Sequence, residues 1–178
     1  YGGTFNMYGG KITNCTTNAQ SVIDVDSSNA SGFDEGRHNV PGVFNMYGGE
    51  ISGNQMTPYK GQHNTAAIDA TDNKINIYGG KICNNTAVGN GNVAHGIDVK
   101  GSELTISGGE ITGNSGYGVW MTNSKAETTL SGGKITGNAK GNLCFAFQRL
   151  SNYHSSTAVL DENMAPDTNI GITVSPLE

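Results

Sequence analysis

One phrase recurs five times along the chain, and it limits the folds that the chain can adopt. The copies, called repeats 1 to 5 below, begin at Phe5, Phe44, Ile75, Leu104 and Thr128 and read FNMYGGKITNC, FNMYGGEISGN, INIYGGKICNN, LTISGGEITGN and TTLSGGKITGN. The second glycines of successive Gly-Gly pairs are 39, 31, 29 and 24 residues apart. A recurrence of this length indicates small units that stack on one another and are joined by loops of variable length.

The residues of each repeat predict short β-strands. Apolar residues alternate before the glycines, as in Phe5 and Met7, which is the spacing of a strand with one buried face. In every repeat an isoleucine lies two residues after the Gly-Gly pair, and it is followed by a turn that carries Asn in repeats 2 to 5 and by a third apolar segment such as SVIDV from Ser21. Helices are disfavoured because glycine, a poor helix former, supplies 27 of the 178 residues.

Units this small cannot bury an apolar face alone, so the sequence predicts an all-β fold in which they stack as a right-handed parallel β-helix. We expect about five to six coils with three short strands per coil. Residues 1–147 are predicted to form the coils. Residues 148–178 are predicted to form a last incomplete coil and a C-terminal cap, with NIGITV from Asn169 as one alternating strand. At the other end, either further coils or domains of the same parent chain precede the first strand, or the loop at residues 27–42 guards that edge.

The phrase Gly-Gly-x-Ile-x-Gly-Asn resembles the right-handed parallel β-helix repeats of the pectate-lyase-like superfold in large bacterial cell-surface and adhesin-like proteins. The resemblance covers residues 5 to about 147. It implies an extracellular or cell-surface location and a non-enzymatic stalk or adhesin-like module that displays loops for carbohydrate or surface-protein partners. Because the superfold also contains polysaccharide-cleaving enzymes, a fragment of a glycoside hydrolase or lyase is the alternative.

Stacking would turn equivalent residues of successive repeats into columns of neighbours about 4.8 Å apart. One column alternates in charge: Lys11, Glu50, Lys81, Glu110 and Lys134. The Asn turns are predicted to form a ladder of amide hydrogen bonds. A third column holds Tyr8, Tyr47 and Tyr78, of which Tyr47 and Tyr78 are candidate sugar-binding residues, with mutual ring packing as the alternative.

A column of aspartates is the main candidate site. Asp24, Asp69 and Asp98 each lie between two apolar residues of the third segment, so they are predicted to point outward on consecutive coils. Like charges this close should raise one another's pKa or recruit a cation. Trp120 takes the equivalent place in repeat 4 and is a candidate sugar platform, with packing under a neighbouring loop as the alternative.

Three interpretations of the aspartate column remain open. It is a solvated acidic face without a ligand, a Ca²⁺ site to which Asp26 adds a carboxylate, or a catalytic carboxylate pair of a sugar-cleaving enzyme. Lys100 is the only basic residue near the column, which disfavours lyase chemistry on acidic sugars. In the leading interpretation the chain needs no cofactor, and Ca²⁺ would serve a cation-stabilised spacer.

Charge and composition exclude other classes of function. The formal net charge is −5 and no basic cluster occurs, so we expect no nucleic-acid partner. No apolar run reaches the roughly 18 residues of a membrane span, so we expect no membrane insertion. His38, His63, His95 and His154 lack the spacing of metal ligands, and we expect them to be solvated at loops and strand ends.

Overall fold

The fold is all-β, as predicted. The computed structural model describes residues 3–26, 41–60, 62–122, 126–145 and 157–173. Within these ranges the chain forms strands joined by turns, and no stretch of them makes a helix of the length and apolarity needed to cross a membrane. Every strand pair in these ranges is parallel.

The strands form four parallel sheets, A to D. Sheet A contains β1 (Thr4–Met7), β5 (Val43–Met46), β9 (Lys74–Ile77), β13 (Glu103–Ile106), β16 (Glu127–Leu130) and β19 (Thr157–Leu160). Sheet B contains β2 (Lys11–Thr13), β6 (Glu50–Ser52), β10 (Lys81–Cys83), β14 (Glu110–Thr112), β17 (Lys134–Thr136) and β20 (Asn169–Ile170). Sheet C contains β3 (Thr16–Thr17), β7 (Gln55–Met56) and β11 (Thr86–Ala87). Sheet D contains β4 (Ser21–Asp26), β8 (Asn64–Thr71), β12 (Val93–Lys100), β15 (Tyr117–Thr122), β18 (Gly141–Phe145) and β21 (Ile172–Thr173).

Strand order within each sheet follows repeat order, and equivalent residues lie side by side. Phe5 pairs with Phe44, and Phe44 with Ile75. The isoleucines after the glycines form one continuous file in sheet B: Ile12, Ile51, Ile82, Ile111 and Ile135. Four of the five are fully buried, and Ile12, at the end of the file, packs partly exposed against the core. The columns predicted from the repeat are therefore real neighbours.

The prediction of three strands per repeat is wrong for repeats 1 to 3, which each contain a fourth. The short strands of sheet C directly follow the Asn turns and precede the third apolar segment, where the sequence predicts no strand. Each is two residues long and carries no apolar alternation, so its only signal is hydrogen bonding to the next copy. A two-residue strand is too short for a sequence pattern to reveal.

Residues 157–173 add one strand each to sheets A, B and D. The segment NIGITV does not form the single alternating strand that its pattern indicates. Ile170 extends sheet B beside Ile135, whereas Ile172 extends sheet D beside Leu143, because the chain turns at Gly171. The predicted boundary at residue 147 and the ends of the cap lie outside the described residues and stay predictions, as does the loop at 27–40.

The turns after sheet B are held by the amide ladder that the sequence predicts. Asn54, Asn85, Asn114 and Asn138 are buried, and each Nδ2 donates to the Oδ1 of the next Asn at 2.9–3.0 Å along this series. Each Nδ2 also donates to a core isoleucine carbonyl of the preceding repeat, as from Asn85 to Ile51 at 3.1 Å. The residue before the buried Asn has a left-handed backbone, with φ of 63° at Gly53 and 56° at Asn84, which explains the glycines of this column.

Removal of one rung of this ladder should destabilise the protein. We expect Asn85→Ala to lower the free energy of unfolding by roughly 2–4 kcal/mol. The backbone N–H of Asn54 and the backbone carbonyl of Ile51 would lose the hydrogen bonds that they make with the Asn85 side chain and would stay buried. Urea denaturation followed by circular dichroism measures this change. The matched control is Asn84→Gly, which suits the left-handed backbone and should leave stability unchanged or raise it by at most about 1 kcal/mol. Equal midpoints for Asn85→Ala and the parent would contradict a structural role for the ladder.

Candidate functional site

The predicted aspartate column exists. On sheet D, Asp24 pairs with Asp69, Asp69 with Asp98, and Asp98 with Trp120. The apolar residues on either side of each aspartate, such as Ile97 and Val99, belong to the buried core. The three carboxylates and the indole therefore lie on the outer face of the sheet in consecutive repeats.

The column is not uniformly solvated. Asp24 is exposed, but the Asp69 side chain is only 13 % exposed, and Asp98 as a residue is 8 % exposed. The interpretation of a solvated acidic face therefore applies to Asp24 alone. Asp98 lies in β12, whose residues 94–99 are all buried although the strand belongs to the outer wall of the stack.

Lys100 supplies the cation that this carboxylate stack requires. Its Nζ lies 2.6 Å from Asp69 Oδ2 and 3.2 Å from Asp98 Oδ2, so one ammonium bridges two repeats. The Thr122 hydroxyl donates to Asp98 Oδ1 at 3.3 Å from the following strand. A lysine two residues after Asp98 points to the same face of the strand, which is why it reaches both acids.

Burial and charge shift the pKa values of this cluster. Burial raises the pKa of Asp98 to about 6, even though Lys100 opposes the shift. The pKa of Asp24 is also raised, by partial burial first and then by Asp69 and Asp26. Burial disfavours the charged form of Lys100, but the carboxylates of Asp98 and Asp69 outweigh it and raise its pKa. The cluster of Asp69, Asp98 and Lys100 is thus an ion-paired triad in which the Asp98 carboxyl group has a pKa of about 6.

His95 belongs to the same outer face, and the prediction that it is solvated is wrong. The residue is fully buried, and its Nδ1 accepts a hydrogen bond from the Tyr117 backbone N–H at 2.9 Å. This bond fixes the proton of the neutral ring on Nε2. Burial lowers the pKa of His95 to about 3, so the ring is neutral at physiological pH.

Two aromatic side chains enclose the His95 ring. Its centroid is 3.9 Å from that of Trp120, edge to face, and 5.7 Å from that of Tyr117. Trp120 therefore packs on His95 and Tyr117 in a half-buried position, where the sequence offered it as a sugar platform or as packing under a loop. The Nε2 of His95 and the Nε1 of Trp120 are buried and have no hydrogen-bond partner. The alignment of the third segments, which sets His95 of repeat 3 beside Tyr117 of repeat 4, was a signal in the sequence for this cluster.

The other predicted histidines are separate from this cluster. His63 is exposed, and its Nδ1 is 2.9 Å from Asn92 Oδ1. His38 and His154 lie outside the described residues.

The tyrosine column forms a ladder of stacked rings directly after the strands of sheet A. Tyr8 and Tyr47 stack at 4.8 Å with an interplanar angle of 8°, and Tyr47 and Tyr78 at 4.9 Å and 16°. The mutual packing that the sequence left open is thus observed. Because both faces of Tyr47 are occupied by the neighbouring rings, a sugar could not stack on Tyr47.

The residues proposed for Ca²⁺ do not form a ligand shell around one point. Asp26 pairs with Thr71, two positions along the strands from the Asp24–Asp69 pair. In the described ranges no three His, Cys, Asp or Glu side chains come together as metal ligands would. Lys100 occupies the place beside Asp69 and Asp98 where a cation was expected.

Two substitutions should separate opposing pH dependences within this cluster. The raised pKa of Asp98 stabilises the fold fully below about pH 4, and this contribution is lost as pH rises through about 6. The lowered pKa of His95 stabilises it fully above about pH 6.5, and this contribution is lost as pH falls towards 3. Each effect is on the order of a few kcal/mol.

We therefore expect Asp98→Asn to lose stability steadily as pH falls from 6.5 to 4, and His95→Gln to gain stability over the same range. Urea midpoints at half-unit pH steps measure both profiles. Shifts from Asp24 and the exposed carboxylates are common to both variants and cancel in the comparison. Parallel profiles for the two variants would contradict the burial of these side chains.

Comparison with known proteins adds no family to this geometry. No protein-family model, curated protein or solved structure matches the chain. Function must therefore be argued from the columns and from the cluster on sheet D.

Proposed function

We propose that the four sheets are the faces of a right-handed parallel β-helix of the pectate-lyase-like type, and that this chain is a non-enzymatic, extracellular β-helical stalk or adhesin-like module of a bacterial surface. The chain visits sheets A, B and D in the same order in every repeat, and returns to sheet A one strand further along. Crossovers between parallel strands are right-handed in nearly all proteins. Loops between the strands would display contacts for carbohydrate or surface-protein partners.

The ion-paired triad is the observation that carries this proposal. Asp69 and Asp98, the carboxylates best placed for chemistry, are bridged by Lys100 and mostly withdrawn from solvent. The other columns, of amides, tyrosines and alternating charges, likewise contact their own copies. Side chains committed to neighbouring repeats strengthen a rod and leave few groups to act on a substrate.

A polysaccharide-active enzyme is the second candidate, because one observation favours it. Asp98 has a pKa of about 6 and lies in the strand next to Asp69, and two carboxyl groups in different environments are the pattern of glycoside hydrolysis. Against this candidate, Asp98 is buried and bonded to Lys100 and Thr122, so little of its carboxyl group is accessible to a glycosidic oxygen.

The stalk proposal predicts an absence of turnover. Incubation with pectins, mucin glycans and host oligosaccharides, with and without Ca²⁺, should release no reducing ends and no unsaturated products, because the carboxylates are held by Lys100. Asp69→Asn and the unaltered protein should be indistinguishable. Turnover that Asp69→Asn abolishes while Asp161→Asn, a variant outside the column, retains it would replace the stalk by the enzyme.

The third candidate, a cation-stabilised spacer built on Asp24, Asp26, Asp69 and Asp98, is tested by chelation. Because Lys100 already occupies the place of a cation beside Asp69 and Asp98, we expect EDTA and added Ca²⁺ to leave the melting temperature unchanged. Lys100→Met is the matched variant, since it leaves the same carboxylates without their cation and should melt several degrees lower. A fall in melting temperature of several degrees on addition of EDTA to the unaltered protein would establish the spacer.

A further inference from the structure

One end of the stack presents the edges of all four sheets. Strands β1, β2, β3 and β4 are each the last strand of their sheet, and within the described residues each has a strand neighbour on one side only. An edge strand carries a row of backbone N–H and C=O groups that are ready to pair with another strand. Repeat 1 therefore offers four parallel edges at once.

Among the described residues, the apolar side chains at this end are partly exposed. Phe5 is 50 % exposed, whereas its equivalent in repeat 2, Phe44, is 0 % exposed. A cavity of about 310 Å³ lies beside Phe5 and is lined also by Ile23, Val25, Val43 and Phe44, with Asp24 and Asp26 at its polar part. Further along the same column, Phe44 and Ile75 are covered by the repeats on either side of them. This end therefore exposes an apolar surface that one more repeat could bury.

The outer columns specify what that layer must carry. Tyr8 is 73 % exposed, with Tyr47 stacked on one face of its ring and the other face open to a further aromatic ring. Lys11 pairs with Glu50 at 3.1 Å, and the column alternates in sign from there, so the residue on the other side of Lys11 should be acidic. Asn76 donates to Asn45, and Asn45 to Asn6, so the amide of Asn6 would donate to an Asn in the added layer.

A second copy of this chain is a poor occupant. Head-to-tail stacking would place Lys11 opposite Asn169 and Phe5 opposite Ala158, the residues that end these columns in sheets A and B. Head-to-head stacking would pair the edge strands antiparallel, so the columns of the two copies would not continue in register. Neither arrangement places an acid opposite Lys11 and a large apolar side chain over Phe5 in the register of the columns.

We propose that the end formed by β1 to β4 docks a further β-strand repeat that places an acidic residue opposite Lys11, an aromatic ring on Tyr8 and a large apolar side chain over Phe5. This inference rests on the proposed scaffold role and specifies its partner. The partner is another repeat of the same phrase, with an acidic residue after its Gly-Gly pair, as Glu50 is in repeat 2.

The test adds such a repeat to the chain in place of residues 1–3. A copy of residues 43–73 is fused in front of Thr4, where its Glu50 falls opposite Lys11, its Tyr47 on Tyr8 and its Phe44 over Phe5. We expect amide hydrogen exchange in β1 and β2 to slow by about tenfold or more relative to the parent protein. The control fusion carries Glu50→Lys in the added copy. It should protect β1 and β2 less, and the difference should shrink at about 1 M salt.

Each other outcome overturns the proposal or one part of it. Unchanged exchange in β1 and β2 of the fusion, with β5 and β9 protected, would reject docking and leave the scaffold intact. Rapid exchange in β5 and β9 of the parent would reject the scaffold itself. Slow exchange of β1 in a parent shown to be monomeric by sedimentation would mean that the chain covers this end, and protection that grows with dimer formation would identify a second copy. Equal protection by the Glu50→Lys fusion would remove the requirement for an acid.

Discussion

In-register stacking is the constraint on which the rest of this structure depends. Each side chain lies about 4.8 Å from the same kind of side chain in the next repeat, so every position must hold a residue that is compatible with its own copy. Isoleucines satisfy this requirement by burying their surfaces together, asparagines by donating and accepting amide hydrogen bonds in sequence, and tyrosines by stacking their rings. The chain needs no long-range pattern beyond this rule, because each repeat positions the next.

Charged residues are the ones that this rule would exclude, and the protein accommodates them in two ways. In the column after the glycines, the sign alternates between repeats, so Lys11 meets Glu50 and Lys81 meets Glu110 at 3.1 Å. These pairs are exposed and contribute little each, about 0–1 kcal/mol, so their value lies in register. In the aspartate column the sign does not alternate. Lys100, two positions along the strand from Asp98, forms ion pairs with both Asp69 and Asp98. Because these ion pairs are largely withdrawn from water, removal of Lys100 would leave buried carboxylates without a counter-charge, which costs far more free energy than the loss of a surface pair.

The features that could be predicted from the sequence are those that recur as the same residue type in several repeats. The file of isoleucines, the amide ladder at Asn85 and the alignment of Asp24, Asp69 and Asp98 all followed from laying five copies over one another. Sheet C was not predicted because its strands are only two residues long. The turn at Gly171 was not predicted because NIGITV alternates as a single strand would. The burial of His95 and Asp98 escaped for another reason: alternation assigns a residue to a face of the sheet but does not say whether that face is covered. His95 also has no histidine counterpart in another repeat, as its neighbours in sheet D are Ala66 and the ring of Tyr117.

The same constraint explains why the β1 end of the stack and the aspartate column of sheet D hold chemically distinctive groups. In the interior of a column, a side chain is matched by its copies and has little left to offer a partner. At β1, the edge strand of sheet A within the described residues, Tyr8, Lys11 and Phe5 have a matching copy on one side only. On sheet D the column changes identity, from aspartate to Trp120 and then Cys144, and there the unmatched neighbours turn to one another, as His95 does to Trp120. Interruption of the repeat, rather than any single residue type, is therefore the feature that marks where this protein can interact.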